Sequence, residues 1–107
     1  MTEQRSGVAA PAHPGVFIED EMRARGLNGS ELARALGVSA QQVCDLRRGR
    51  RGISPAMAIR LSQWTGSSAS LWQRLQADYD LWLMELRDGD RIRSEVTPGA
   101  WPAQEHQ

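Results

Sequence analysis

The sequence predicts an all-α domain built from five helices. Three observations carry this expectation: apolar residues recur at helical spacing, most helical segments open on a residue suited to an N-cap, and no alternating run reads as a strand. At 107 residues the chain is one domain's worth, enough to bury a small but real core.

Residues 1–12 lack periodicity and read as a flexible N-terminal arm. Pro14 suits a first helical turn, and Phe17, Ile18 and Met22 then mark a helix that stops at Gly26. Asn28 with Glu31 three residues on forms a capping-box pair, opening a short helix with Leu32, Ala33 and Leu36 inward and Gly37 at its end. Ser39 with Gln42 opens another, carrying Val43 and Leu46 inward before Gly49. Arg50, Arg51 and Gly52 form a basic loop. Ser54 and Pro55 begin a fourth helix that carries Met57, Ala58, Leu61 and Trp64 and is ended by Gly66. After SSAS the longest helix runs from about Ala69 to Arg87, and residues 13–88 make up the folded domain. From residue 89 onward the polar composition and Thr97, Pro98, Gly99 and Pro102 read as a flexible tail, in which Trp101 is a candidate docking residue.

The last helix has two apolar sides. At 100° per residue, Leu71, Trp72, Leu75, Tyr79, Trp82, Leu83 and Leu86 fall within an arc of about 120°, which is the expected core face. Ala77, Leu81 and Met84 lie opposite and suggest a contact between two copies of the chain, the alternative being scattered exposed apolar residues.

Thirteen basic and thirteen acidic residues cancel, which excludes a polycation or an acidic solvating segment. The neutral total conceals a polarised chain: residues 46–77 hold six Arg and no acid, whereas the flanking segments are net acidic. Every basic residue is Arg, whose planar fork suits phosphate and guanine. One Cys rules out an intrachain disulfide, and two distant His residues offer no metal set. No glycine-rich phosphate loop or carboxylate constellation appears, and Cys44 has no His neighbour in sequence, so no catalytic residue, cofactor or metal is expected. Cys44 reads as a packing residue. With no apolar run of membrane length and a polar start after Met1, a soluble cytoplasmic protein is expected.

Residues 29–48, GSELARALGVSAQQVCDLRR, have the spacing of a DNA-binding helix-turn-helix. Such a motif needs a small residue where two short helices cross, a turn residue that tolerates positive φ, and apolar positions that lock the pair. Ala33, Gly37 and Leu32, Leu36, Val38, Val43 and Leu46 fill those roles. Gln41 and Gln42 stand at the start of the second helix, and a Gln amide pairs bidentately with adenine. Asp45 is placed either to accept from cytosine or to pair with Arg47 or Arg48, while Arg47, Arg48, Arg50 and Arg51 suit phosphates. A helical hairpin that serves only protein contacts is the competing reading.

The chain resembles the HigA-type antitoxins, a branch of the phage-repressor-like (Xre) helix-turn-helix family, in HPGVFIEDEMRARGL at 13–27, in the motif at 29–48 and in RRGISPAMAIRLSQWTGSSASLWQRLQADYDLW at 50–82. The resemblance implies a five-helix lambda-repressor-like fold and a homodimer that binds a palindromic operator in its own promoter. It also implies a cognate toxin, usually a RelE-like ribonuclease cleaving mRNA on the ribosome. Base reading would fall on Ala40, Gln41 and Asp45, with backbone contacts near Asn28, Gly29, Ser39, Arg48, Arg50 and Arg51. Two departures stand out: such repressors commonly carry Gln where Gly29 is, and often a polar residue where Ala40 is. A basic toxin would suit the acids Glu19, Asp20 and Glu21, or the later Asp78, Asp80, Glu85, Asp88 and Asp90. The alternative is a regulator of the same fold without a toxin partner.

Overall fold

The computed structural model describes residues 10–100. Five helices follow in order: α1 (Pro14–Arg25), α2 (Gly29–Leu36), α3 (Ala40–Arg47), α4 (Pro55–Thr65) and α5 (Ala69–Glu95), with no strand among the described residues. Trp101 and the rest of residues 101–107, like residues 1–9 of the arm, lie outside the described residues.

Local chemistry explains the helix starts. His13 caps α1, its Nδ1 accepting from the Gly15 amide at 2.9 Å, and Pro14 occupies the first helical position, where a missing N–H costs nothing. Asn28 and Glu31 form a reciprocal capping box on α2, as Ser39 and Gln42 do on α3. Ser54 caps α4 and Ser68 caps α5. The chain reverses between α2 and α3 at Gly37, whose φ of 72° lies in the left-handed region that Cβ disfavours.

Helices α1–α4 and the start of α5 enclose one core. Ile18 and Met22 of α1 meet Leu32, Ala33 and Leu36 of α2, Val43 and Leu46 of α3, Ile53, then Met57, Ala58 and Leu61 of α4 and Trp72 of α5. At roughly 1.5–3 kcal/mol for each large side chain removed from water, this cluster is the main source of stability. Of the apolar residues that mark α1, Ile18 and Met22 are buried while Phe17 is exposed. Trp64 is half-buried and packs against this cluster, with the Arg25 guanidinium 4.8 Å above its ring.

The longest helix differs from expectation in two ways. It continues past Arg87 to Glu95 rather than giving way to a tail at residue 89. A ladder of ion pairs at helical spacing supports the extension: Arg91 reaches Asp88 at 3.4 Å and Glu95 at 2.9 Å, and Arg93 pairs with Glu85 and, at 3.7 Å, with Asp90. Gly89 is an interior residue of this helix, lying under the Glu85–Arg93 pair. The expected core face is also only partly a core face. Trp72 is buried and Leu75 packs against the cluster, but Leu71 and Leu86 are exposed, and Trp82 and Leu83 are half-buried. Helix spacing defines an apolar arc but not what covers it, and the second half of α5 runs beyond the other four helices.

Candidate nucleic-acid interface

At 100° per residue α3 divides into three sides. Val43 and Leu46 point into the core; Gln41, Asp45 and Arg48 lie opposite; Arg47 sits on the flank toward α1 and α2. The outward face is ordered by its own side chains. Gln41 Nε2 donates to Asp45 Oδ1 at 2.9 Å, and Arg50 Nε donates to the same oxygen at 3.2 Å. The Gln41 hydrogen bond, with the Arg50 guanidinium in support, holds the Asp45 carboxyl below the ordinary carboxylate range. The partner of Asp45 is therefore Arg50 rather than Arg47 or Arg48. The chain folds back after α3, with the Arg50 and Arg51 amides both donating to the Asp45 carbonyl, and this return brings Arg50 within reach.

Gln42 is turned elsewhere. Its Oε1 accepts from the Ser39 amide at 3.2 Å, while Ser39 Oγ accepts from the Gln42 amide at 3.1 Å, so both side chains are engaged in closing the start of α3. Gln41, by contrast, is exposed on the outward face beside Ala40. Arg48 and Arg51 are exposed and form no ion pair among the described residues. Arg47 is differently placed: its Nε donates to Glu19 Oε2 at 2.6 Å, joining α3 to α1.

That contact also changes the reading of the acids on α1. Glu19 is bound to Arg47, Asp20 to Arg23 at 3.0 Å, and Glu21 to Arg25. The expected acidic patch is therefore charge-compensated, because each carboxylate finds an Arg three or four residues on or on α3. Ala77, Leu81 and Met84 are exposed along one side of α5, with Ile92 further along the same side.

Residues outside the motif hold it in place, and sequence spacing gave no direct sign of them. Arg60 of α4 donates to the Leu36 carbonyl at 2.8 Å, closing the C-terminal end of α2 beside the turn. Gln76 of α5 is buried, with Oε1 accepting from the Ile53 amide at 2.8 Å, and Gln73 donates to the Ile53 carbonyl at 2.7 Å. These two glutamines grip the peptide that follows Arg50 and Arg51. At the other end, a Cβ on Gly15 would stand 2.8 Å from the Leu46 carbonyl and 2.9 Å from that of Arg47, so α1 approaches the end of α3 as closely as glycine alone permits. The signal available in the sequence was only the HPG triplet itself. The His13 ring packs edge-on against Tyr79 at 4.9 Å, tying the same corner to α5.

The arrangement is a short capped helix with Gln41 exposed on its outward side and exposed guanidiniums at and after its end. Among the described residues no three His, Cys, Asp or Glu side chains are grouped to hold a metal ion, and no helix is long and apolar enough to cross a membrane.

Comparison with known proteins agrees with this geometry. The helix-turn-helix family model matches residues 18–72. Virulence-associated protein A' of Dichelobacter nodosus is 38% identical over 84 residues, covering 78% of this chain and 73% of its own. The structure of Pseudomonas aeruginosa antitoxin HigA with the higBA promoter superposes with a TM-score of 0.78 at 41% identity, over 84% of this chain and 99% of that one. A HigA-family addiction module antidote protein from Coxiella burnetii gives a TM-score of 0.79 at 29% identity, over 85% of this chain and all of the other. Both the motif on α2 and α3 and the helices that brace it are shared, and the chain belongs to the helix-turn-helix family, in its HigA-type antitoxin branch.

Proposed function

We propose that this chain is a cytoplasmic antitoxin that binds and neutralises a cognate RelE-like toxin and, as a homodimer, represses its own operon by binding a palindromic operator. The observation that carries the DNA half is the outward side of α3 and the turn that follows it, where Gln41, Arg48 and Arg51 are all exposed and a capping box closes the helix start. In this reading α3 enters the major groove. Gln41, flanked by Ala40 and Asp45, meets base edges; Asn28, Arg47, Arg48, Arg50 and Arg51 meet phosphates. Gln42 and Ser39 contribute by shaping the helix start, where their side-chain oxygens accept from backbone amides, rather than by meeting DNA. The Pseudomonas aeruginosa relative is known with its higBA promoter, which supports DNA binding by this chain. The exposed Ala77, Leu81 and Met84 strip supports two-fold pairing through α5.

Fluorescence anisotropy with duplex from the chain's own promoter tests the DNA half. Binding should weaken steeply as salt rises, and no binding at low salt would refute it. Co-expression with the product of the adjacent gene tests the toxin half, through growth rescue and co-purification. The pairing of Glu19, Asp20 and Glu21 with Arg residues favours, as a second reading, a regulator without a toxin partner, and absence of any rescue or co-purification would select it.

A further inference from the structure

The ion pair between Glu19 and Arg47 joins α1 to the flank of α3. Arg47 lies on the flank of α3, and its guanidinium rests against the first residue of α2: a Cβ on Gly29 would be 3.0 Å from Arg47 Nη1. Glu19 Oε2 holds the same guanidinium through Nε at 2.6 Å, leaving Nη1 beside Gly29 at the start of α2. The two side chains are about one-third exposed, so the pair is neither a mobile surface contact nor a sealed core one. A long Arg side chain on a free helix flank would carry considerable rotamer entropy into any contact, and a fixed fork loses less of it when it meets an anion.

We infer that Glu19 is a positioning residue for DNA binding: it holds Arg47 over the side-chain-free position at Gly29, so that Arg47 supplies the phosphate contact at the start of α2. This rests on the reading of α3 as the DNA-facing helix. The absence of a side chain at residue 29 then makes room for a guanidinium supplied by α3 instead of simply deleting a contact. Glu19 acts through Arg47 and touches no nucleotide itself.

The sign of one substitution separates this role from plain electrostatics. Removing a negative charge beside DNA strengthens binding when charge alone matters. Glu19→Gln, measured by anisotropy on the promoter duplex across a salt series, should instead weaken binding roughly three- to tenfold, with a log–log salt slope smaller by up to about 0.9. In an Arg47→Ala background the same change should have no weakening effect, and thermal unfolding of each variant checks that the fold is retained. A Glu19→Gln protein that binds as well as or better than the parent overturns the inference, as does an equal loss in the Arg47→Ala background. Failure of the parent protein itself to bind the duplex would refute the DNA-binding reading as a whole, an outcome distinguishable from either of these.

Discussion

Between Ala69 and Gln76, α5 is tied into the bundle by a buried indole, a packed leucine and two glutamines that grip the Ile53 peptide. Between Leu81 and Glu95 the same helix carries Leu81, Met84, Leu86 and Ile92 into solvent and is supported by ion pairs along its own surface. Both stretches carry several large apolar residues. Hydrophobic content therefore says that a surface must be covered, while only the placement of neighbours says whether the cover comes from the same chain. The first half stabilises the domain, and the second is the part available to another molecule.

The sharpest way to break this comparison is to delete a methyl cluster on each side of it. Leu61 is fully buried where α4 meets the rest of the core, and Leu61→Ala should lower unfolding free energy by about 2–5 kcal/mol in a denaturant titration. A loss near zero would mean that the bundle is not the stabilising unit. Leu81→Glu with Met84→Glu should leave helical content by circular dichroism close to the parent, but yield monomers in analytical ultracentrifugation. Operator affinity should then fall roughly a hundredfold, because two half-sites are no longer engaged as one event. A dimer that survives both substitutions would move the interface off this strip.

Gln76 lies between these extremes, since it stabilises the first half of α5 and also steadies the loop after α3. Gln76→Leu leaves the Ile53 amide without its acceptor and Asp80 without its donor, and should cost about 1–3 kcal/mol of stability. If that loop matters to DNA binding, affinity should fall further than the change in folded fraction accounts for.

These contrasts bear on what could be read before the fold was known. The starts of α2, α3 and α4 were legible because capping is local: Asn28 with Glu31, Ser39 with Gln42, and Ser54 before Pro55 act over three residues. The inward stripe of the motif, Leu32, Leu36, Val43 and Leu46, was legible for the same reason. Contacts made at long sequence separation were not: Glu19 with Arg47, Arg60 with Leu36, and Gln76 with Ile53 leave no periodic trace. The far end of α5 was misjudged because Gly89 and a polar run resemble a stop, whereas charges spaced for a helix surface continue it to Glu95. Charge summed along the chain misled in a related way, since the α1 acids counted as free are each met by an Arg.

A smaller effect distinguishes residues within the DNA-facing half. Arg51 is exposed and free of any ion pair among the described residues, so Arg51→Ala should weaken binding to all sequences alike and reduce the salt slope by about 0.9. Gln41→Ala should do the reverse, leaving the slope unchanged while relaxing preference at one base pair by about 1–3 kcal/mol, read from competition with point-substituted duplexes. Equal effects from the two would show that Gln41 does not read sequence.

The smallest effect concerns Asp45, which has two possible uses on one carboxylate. In the free protein it binds Gln41 and Arg50, and its pKa is depressed relative to an unfolded chain. A group of this kind contributes stability that is fully present above the unfolded value and lost as pH falls through the folded one. The stability difference between the parent and Asp45→Asn should therefore be constant from neutral pH down to about pH 5 and shrink only below about pH 4. On DNA the two uses predict opposite outcomes. If Asp45 mainly restrains Arg50, Asp45→Asn releases that guanidinium toward phosphate and raises affinity for every duplex. If Asp45 leaves Arg50 to accept from a cytosine, the same substitution lowers affinity for the operator alone, so a comparison of operator with unrelated DNA decides which contact survives on the duplex.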